Sequence, residues 1–102
     1  MTDVNVNLQA MCNTILQALR DANDDPAFYR HNLLYAYDQV VILARGYSHL
    51  ARGYSHLEDC RDGIHTALVA DCASNAASWT DFAINGLHYF ARINGLSLTK
   101  GV

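Results

Sequence analysis

Residues 44–57 read Ala-Arg-Gly-Tyr-Ser-His-Leu-Ala-Arg-Gly-Tyr-Ser-His-Leu, one block of seven residues written twice in succession. We call 44–50 the first copy and 51–57 the second copy. Such an identity indicates a recent or engineered duplication in a parent chain of 95 residues, that is, 102 less the copied seven. Seven residues are two helical turns to within about 20°, so the insertion keeps later helical faces nearly in register, whereas it would invert a strand. The repeat therefore favours a helix that continues through it, or a loop that tolerates lengthening.

The hydrophobic pattern before the repeat is helical. Apolar residues at i, i+3 and i+4 predict a first helix over about residues 5–22. A turn over 23–26 follows, in which Asp25 suits an N-cap and Pro26 the first helical position. The second predicted helix is rich in apolar residues, and it either continues through the repeat or stops near Gly46.

The hydrophobic pattern after the repeat is helical as well. A third helix is predicted to start near residue 56, and its acids at 58–62 suit a first turn, which favours a break inside the repeat. Its apolar seam consists of Leu57, Cys60, Ile64, Leu68 and Cys72. Ser78 and Asp81 resemble a capping box that opens a fourth helix, Gly95 suits its end, and 96–102 are predicted to be a flexible tail. The prediction is one all-α domain over 1–102, a small bundle of three to four helices with the duplication in or after the second.

Composition excludes several classes of protein. The chain has 51% hydrophobic and 17% charged residues and a net charge of −3, which excludes intrinsic disorder. We expect no membrane span, because no apolar run is long enough, and no direct nucleic-acid binding, because the basic residues are scattered singly. An N-terminus without a signal-peptide pattern and three widely spaced cysteines predict a cytoplasmic protein. The high apolar fraction on a small body predicts a protein partner and a homo-oligomer.

Chemistry-bearing residues give little support to an enzyme. His56 and Cys60 are i, i+4 neighbours on a helix, but two ligands do not make a zinc site, and no orienting acid or oxyanion loop is evident beside them. The glycines form no dinucleotide or phosphate-binding fingerprint. We therefore predict no catalytic residue, metal or cofactor. The alternatives are a small cysteine- or metal-dependent enzyme around His56 and Cys60, or an engineered duplication of a helical protein.

Tyrosine is the residue type that points most directly to a partner. Six tyrosines are many for this length, and they either form an interface or are half-buried at the edge of the bundle. The predicted recognition face consists of Arg30, Tyr37, Arg45, Tyr47 and His49. Small residues cluster over 67–77, where they predict close internal helix packing or, alternatively, a homodimer seam.

Two segments carry a resemblance to a known family. Tyr35-Ala-Tyr-Asp-Gln-Val-Val in the second helix and Ala83-Ile-Asn-Gly-Leu-His-Tyr-Phe in the fourth resemble small accessory proteins of temperate phages and their satellites. The family that we name is the satellite-phage derepression (antirepressor) proteins. The resemblance implies a helical, non-enzymatic protein of the host cytoplasm that binds a repressor protein and lifts its hold on DNA.

Overall fold

The computed structural model describes residues 2–47 and 52–98, and these form four α-helices and one 3-10 turn. The helices are α1 Thr2–Asp24, α2 Tyr29–Gly46, α3 Tyr54–Leu68 and α4 Ala73–Ile93, and the 3-10 turn Pro26–Phe28 joins α1 to α2. These two described ranges contain no strand, so the predicted all-α bundle is confirmed.

The helices pack in a ring around one core. Each helix packs against the next along the chain, and α1 also packs against α4, so α2 and α4 lie diagonally across the bundle. Aliphatic side chains of all four helices fill the interior with one phenylalanine among them. Side chains with 0% exposure are Cys12, Ile15, Leu16, Leu19, Leu33, Ala36, Val40, Leu57, Cys60, Ile64, Ala67, Ala83, Leu87 and Phe90. Because α2 and α4 lie on a diagonal, their outer surfaces face different directions.

The helix break falls inside the repeat. α2 ends at Gly46, and Tyr47 leaves the helical conformation with φ −118° and ψ 121°. α3 begins at Tyr54, directly after Gly53, whose φ of 78° is in the left-handed region that favours glycine. The predicted stop near Gly46 is therefore confirmed, and a helix that continues through the repeat is wrong.

The first connection differs in detail from the prediction. α1 extends to Asp24, two residues further than predicted, and it begins at Thr2 rather than near residue 5. Asp25 is the N-cap of the 3-10 turn, where its carbonyl accepts a hydrogen bond from the Phe28 N–H at 3.0 Å while its side chain makes no capping bond. Asp25 and Pro26 thus open a short turn that leads into α2, rather than α2 itself.

The boundary between α3 and α4 needs a correction. The predicted seam continued to Cys72, but α3 ends at Leu68, where the Val69 N–H donates to the His65 carbonyl at 3.2 Å and closes the last turn. Cys72 is exposed and extended, with φ −149° and ψ 163°, and does not belong to the core. The segment between the helices contains neither proline nor glycine, so no local signal marks this end.

The start of α4 also lies elsewhere than predicted. α4 begins at Ala73, so Ser78 and Asp81 lie inside the helix and do not form a capping box. The Ser78 hydroxyl donates to the Ser74 carbonyl at 3.3 Å, as serines inside helices do. Alanines at 73, 76 and 77 have the highest helix propensity and extend the helix toward its N-terminus.

A carboxylate lies just before this helix. Asp71 precedes α4 and accepts a hydrogen bond from the Asn75 amide at 2.8 Å. The hydrogen bonds from Asn75 and from Cys72 hold the pKa of Asp71 below its ordinary value. A negative charge at this position also interacts favourably with the N-terminus of the helix.

Two glycines bring α3 and α4 into backbone contact. A Cβ atom on Gly86 would lie 2.9 Å from the His56 carbonyl oxygen and 3.2 Å from the Cys60 nitrogen. A Cβ atom on Gly63 would lie 3.1 Å from the Ala83 nitrogen. The close approach that we predicted from the small residues over 67–77 depends here on glycines, while Ala67 and Ala76 of that cluster are buried inside the bundle.

The end of α4 follows the prediction. The Gly95 N–H donates to the Arg92 carbonyl at 3.2 Å and the Leu96 N–H to the Ala91 carbonyl at 2.8 Å, which is the Schellman pattern, and Gly95 has φ 70°. Beyond it, Leu96 and Leu98 are partly buried against the core. Residues 99–102 lie outside the described part, and the flexible tail stays a prediction.

Candidate partner-binding surfaces

The outer surface of α2 exposes three large apolar side chains. Leu34, Tyr35 and Ile42 are 55%, 48% and 54% exposed. Ile42 lies seven residues after Tyr35 and eight residues after Leu34, so the three side chains lie on one side of the helix. Exposed Asp38 lies between them and exposed Arg45 follows them. We call these five residues the α2 outer face, an apolar surface bordered by charges.

The five residues of the predicted recognition face do not lie together. Arg30 and Arg45 are exposed at opposite ends of α2, about 22 Å apart along its axis. Tyr37 is half-buried, and its ring lies 6.3 Å from that of His65 on α3. Arg45 therefore belongs to the α2 outer face and Arg30 borders it, whereas Tyr37 lies between α2 and α3.

The other two residues of that predicted face differ from each other. Tyr47 is half-buried with its ring 5.2 Å from the Phe90 ring, and its hydroxyl donates to the Asn94 side-chain oxygen. His49 lies outside the described residues. Sequence reasoning missed Leu34, Tyr35 and Ile42 as one exposed group, because the apolar pattern of the second helix does not show which side of it the neighbouring helices cover.

Arg30 is partly engaged within its own helix. Its guanidinium lies 5.7 Å from the centre of the Tyr29 ring, and its Nε donates to the Tyr29 hydroxyl at 3.1 Å. These contacts hold the Arg30 guanidinium beside the Tyr29 ring at the start of α2.

A groove of about 340 Å³ lies between α1 and the end of α2. Ile42, Leu8 and Met11 give it apolar walls, and Tyr47 and Asn7 line it as well. It continues the apolar surface of the α2 outer face toward α1, and it is the type of concave surface that accepts an apolar side chain of a partner.

A second apolar surface lies on α4, on the diagonal from α2. Trp79, Phe82, Tyr89 and Ile93 are between 37% and 53% exposed, and we call them the α4 ridge. Trp79 and Phe82 make an edge-to-face contact at 5.6 Å, which fixes their relative orientation. On the α3 side, the His56 ring lies 5.3 Å from the Tyr89 ring.

The environment of Cys60 does not suit a nucleophile. Its side chain is fully buried, and this burial, with smaller contributions from Cys12 and Asp59, raises the pKa of the thiol far above neutral. A thiol reacts as the thiolate, which this site disfavours. Burial raises the pKa of Cys12 to about 12 in the same way. Within 2–47 and 52–98, no group of three or more histidines, cysteines or acids is placed to hold a metal ion.

Comparison with known proteins found no matching protein-family model, curated protein or solved structure. None of the described helices has the length and apolar character needed to cross a membrane.

Proposed function

We propose that this chain is a non-enzymatic protein-interaction module that binds a different protein through the α2 outer face. The observation that carries the proposal is the exposure of Leu34, Tyr35 and Ile42 along one side of α2. Apolar residues grouped on a surface and bordered by polar ones mark protein-binding sites, and leucine, isoleucine and tyrosine side chains bury large areas on binding.

The charges of the α2 outer face favour a different protein over a second copy. If two copies paired antiparallel through α2, Asp38 would face Asp38, and Arg30 would lie beside Arg45 of the other copy. Like charges facing each other at an interface are unfavourable. A partner with an apolar surface, a basic group at its centre and carboxylates toward its ends has the complementary pattern.

The resemblance to derepression proteins supports a repressor as that partner. In this proposal, binding sequesters the repressor and releases its DNA, so the chain itself needs no basic surface. The scattered arginines and the net charge of −3 agree with such an indirect effect on DNA.

The test uses the double variant Leu34→Ala/Ile42→Ala, which removes the two most exposed aliphatic side chains of the α2 outer face. The tagged wild-type chain captures partners from a lysate of a bacterial host that carries temperate and satellite phages, and the captured protein is then purified. We expect a DNA-binding repressor whose operator binding decreases when the chain is added. The double variant should bind it at least about tenfold more weakly, since anchors at the centre of an interface each contribute more than about 1 kcal/mol.

Val69→Ala is the matched control, because Val69 is 68% exposed but lies on the turn after α3. It should bind like the wild type. Equal binding by the double variant, or a captured protein that does not bind DNA, would contradict the proposal at a different step in each case.

A further inference from the structure

We infer that two copies of this chain pair antiparallel through the α4 ridge, with the two-fold axis beside exposed Asn85, at the level of Gly86 along the helix. The composition predicts a homo-oligomer, and the geometry of α4 points to where it forms. The inference is independent of the proposed partner, because α2 lies diagonally across the bundle from α4 and stays uncovered in such a dimer.

The spacing of the ridge is self-complementary. Trp79 and Ile93 lie seven residues to either side of Gly86, and Phe82 and Tyr89 lie four and three residues from it. In a two-fold interface a residue that contacts a second one is contacted by it in return. Antiparallel pairing about Gly86 therefore places Trp79 against Ile93 of the other copy and Phe82 against Tyr89, twice each. A parallel pairing would instead place each of these side chains against the same residue of the other copy.

The charges beside the ridge are also complementary. Asp81 and Arg92 are both exposed, and their separation of eleven residues, about three turns, puts them on one side of α4. Asp81 lies five residues before Gly86 and Arg92 six residues after it, so antiparallel pairing brings Asp81 to Arg92 of the other copy at both ends of the dimer. The α2 outer face would pair like charges under the same operation, which is why we assign self-association to α4.

The ridge is also held rigid. The backbone contact of Gly86 with α3 and the edge-to-face pair of Trp79 and Phe82 hold the aromatic side chains in place before binding. Less side-chain freedom is then lost on association.

A charge-swap experiment tests the pairing, with self-association measured by sedimentation velocity over a concentration series. The wild-type chain should dimerise. Asp81→Arg places two positive charges at each end of the dimer and Arg92→Asp places two negative charges there, so each variant alone should self-associate at least tenfold more weakly. An equimolar mixture of the two variants restores both opposite-charge pairs and should form a heterodimer at the wild-type level.

Weakening of both single variants together with recovery in the mixture is specific for antiparallel pairing, because a parallel pairing would already place Asp81 against Asp81 and Arg92 against Arg92 in the wild type. A wild-type chain that stays monomeric throughout the series, single variants that dimerise like the wild type, or a mixture that does not recover the dimer would each overturn the inference. Asp81 also accepts a hydrogen bond from Asn23 at 2.8 Å, so the folding of Asp81→Arg is checked by circular dichroism.

A second pair of variants is independent of that hydrogen bond. Phe82→Ala/Tyr89→Ala should weaken the dimer at least tenfold, whereas Leu34→Ala/Ile42→Ala should leave it unchanged. The opposite result would place self-association on α2 and contradict the inference. If Leu34→Ala/Ile42→Ala loses partner binding while the dimer stays intact, partner binding and self-association use separate surfaces. Each of the two proposals can therefore fail without the other.

Discussion

The two copies of the repeat have identical residues, but their described parts, 44–47 and 52–57, have different structures. In the first copy Gly46 ends α2, and Tyr47 is extended with its ring on Phe90. In the second copy Gly53 takes a left-handed conformation, α3 begins, and Leu57 is fully buried. The seven residues are the same in both, so the flanking residues, such as the acids after the second copy, and the tertiary contacts decide which copy ends a helix and which begins one.

A single side chain bonds to both copies. The Asn94 side-chain oxygen accepts the Tyr47 hydroxyl of the first copy, and its amide donates to the Arg52 carbonyl of the second copy at 3.0 Å. The same amide donates to the Phe90 carbonyl at 2.8 Å, which anchors Asn94 at the end of α4. The C-terminus of α4 thus distinguishes two otherwise equivalent segments.

Deleting one copy should have the largest effect. Removing 47–53, 44–50 or 51–57 yields the same 95-residue chain, in which Gly46 is followed directly by Tyr54. One tyrosine would then have to contact Phe90 and begin α3 at once, with no residues left to connect the helices. We expect a loss of at least about 3 kcal/mol in unfolding free energy, comparable to removing a large buried side chain, or a domain-swapped dimer with α2 and α3 fused. Urea denaturation and light scattering measure both.

The control for the deletion keeps the length and changes the sequence. Replacing residues 48–51 by Gly-Ser-Gly-Ser leaves the spacing between Tyr47 and Arg52 intact and should keep most of the stability. A 95-residue chain with the same stability and the same oligomeric state as the control would show that one copy can perform both roles, and the comparison between the copies would lose its meaning.

Equivalent glycines of the two copies should respond with opposite signs. Gly53→Ala forces a Cβ into the left-handed region and should cost about 1–2 kcal/mol. Gly46→Ala lies in α2, where a Cβ meets nothing within 4 Å, and should be neutral or stabilise by up to about 1 kcal/mol. Thermal and urea unfolding of both variants give the comparison. The same sign and size for both would mean that the copies are interchangeable.

The helical periodicity predicted the parts of this fold that depend on local pattern. It predicted four helical segments and the stop at Gly95, because apolar spacing and capping residues act within a few residues. A continuous helix and a break inside the repeat both stayed open, and the acids at 58–62 favoured the break. The periodicity did not predict the end of α3 at Leu68, where no glycine or proline marks the turn. It also missed the roles of Gly63, Gly86 and Asn94, since each depends on a helix distant along the chain; a glycine inside a helix was the available signal.

The distinction between local pattern and contacts from distant helices also applies to the candidate surfaces. Arg30 and Arg45 were predicted as partner-binding, and both lie at the border of an exposed apolar face. Tyr37 and Tyr47 were predicted with them, but they are half-buried against α3 and α4. Whether a tyrosine on an apolar helix faces a partner or the core depends on which side neighbouring helices cover, and composition does not contain that information.

The two equivalent tyrosines provide a smaller test. Tyr47→Phe removes the hydrogen bond to Asn94 and should cost about 1 kcal/mol, since an acceptor loses its donor. Tyr54→Phe should change stability by less than about 0.5 kcal/mol, because within the described residues its hydroxyl makes no hydrogen bond. Both variants keep the ring, so packing is matched. A larger loss of stability in Tyr54→Phe than in Tyr47→Phe would show that the hydroxyl of the second copy, and not that of the first, stabilises the fold.

The start of α4 gives the smallest expected effect and extends the comparison to how helices begin. α3 begins after a left-handed glycine without a side-chain cap, whereas Asp71 precedes α4 and bonds to Asn75. Since hydrogen bonds lower the native pKa of Asp71 below its unfolded value, its contribution is complete above the unfolded pKa and is lost as the pH falls through the native pKa. Asp71→Asn should therefore lower the unfolding midpoint slightly at neutral pH, and the difference from the wild type should vanish in acid. A difference that persists unchanged in acid would show that the carboxylate charge has no part in starting α4.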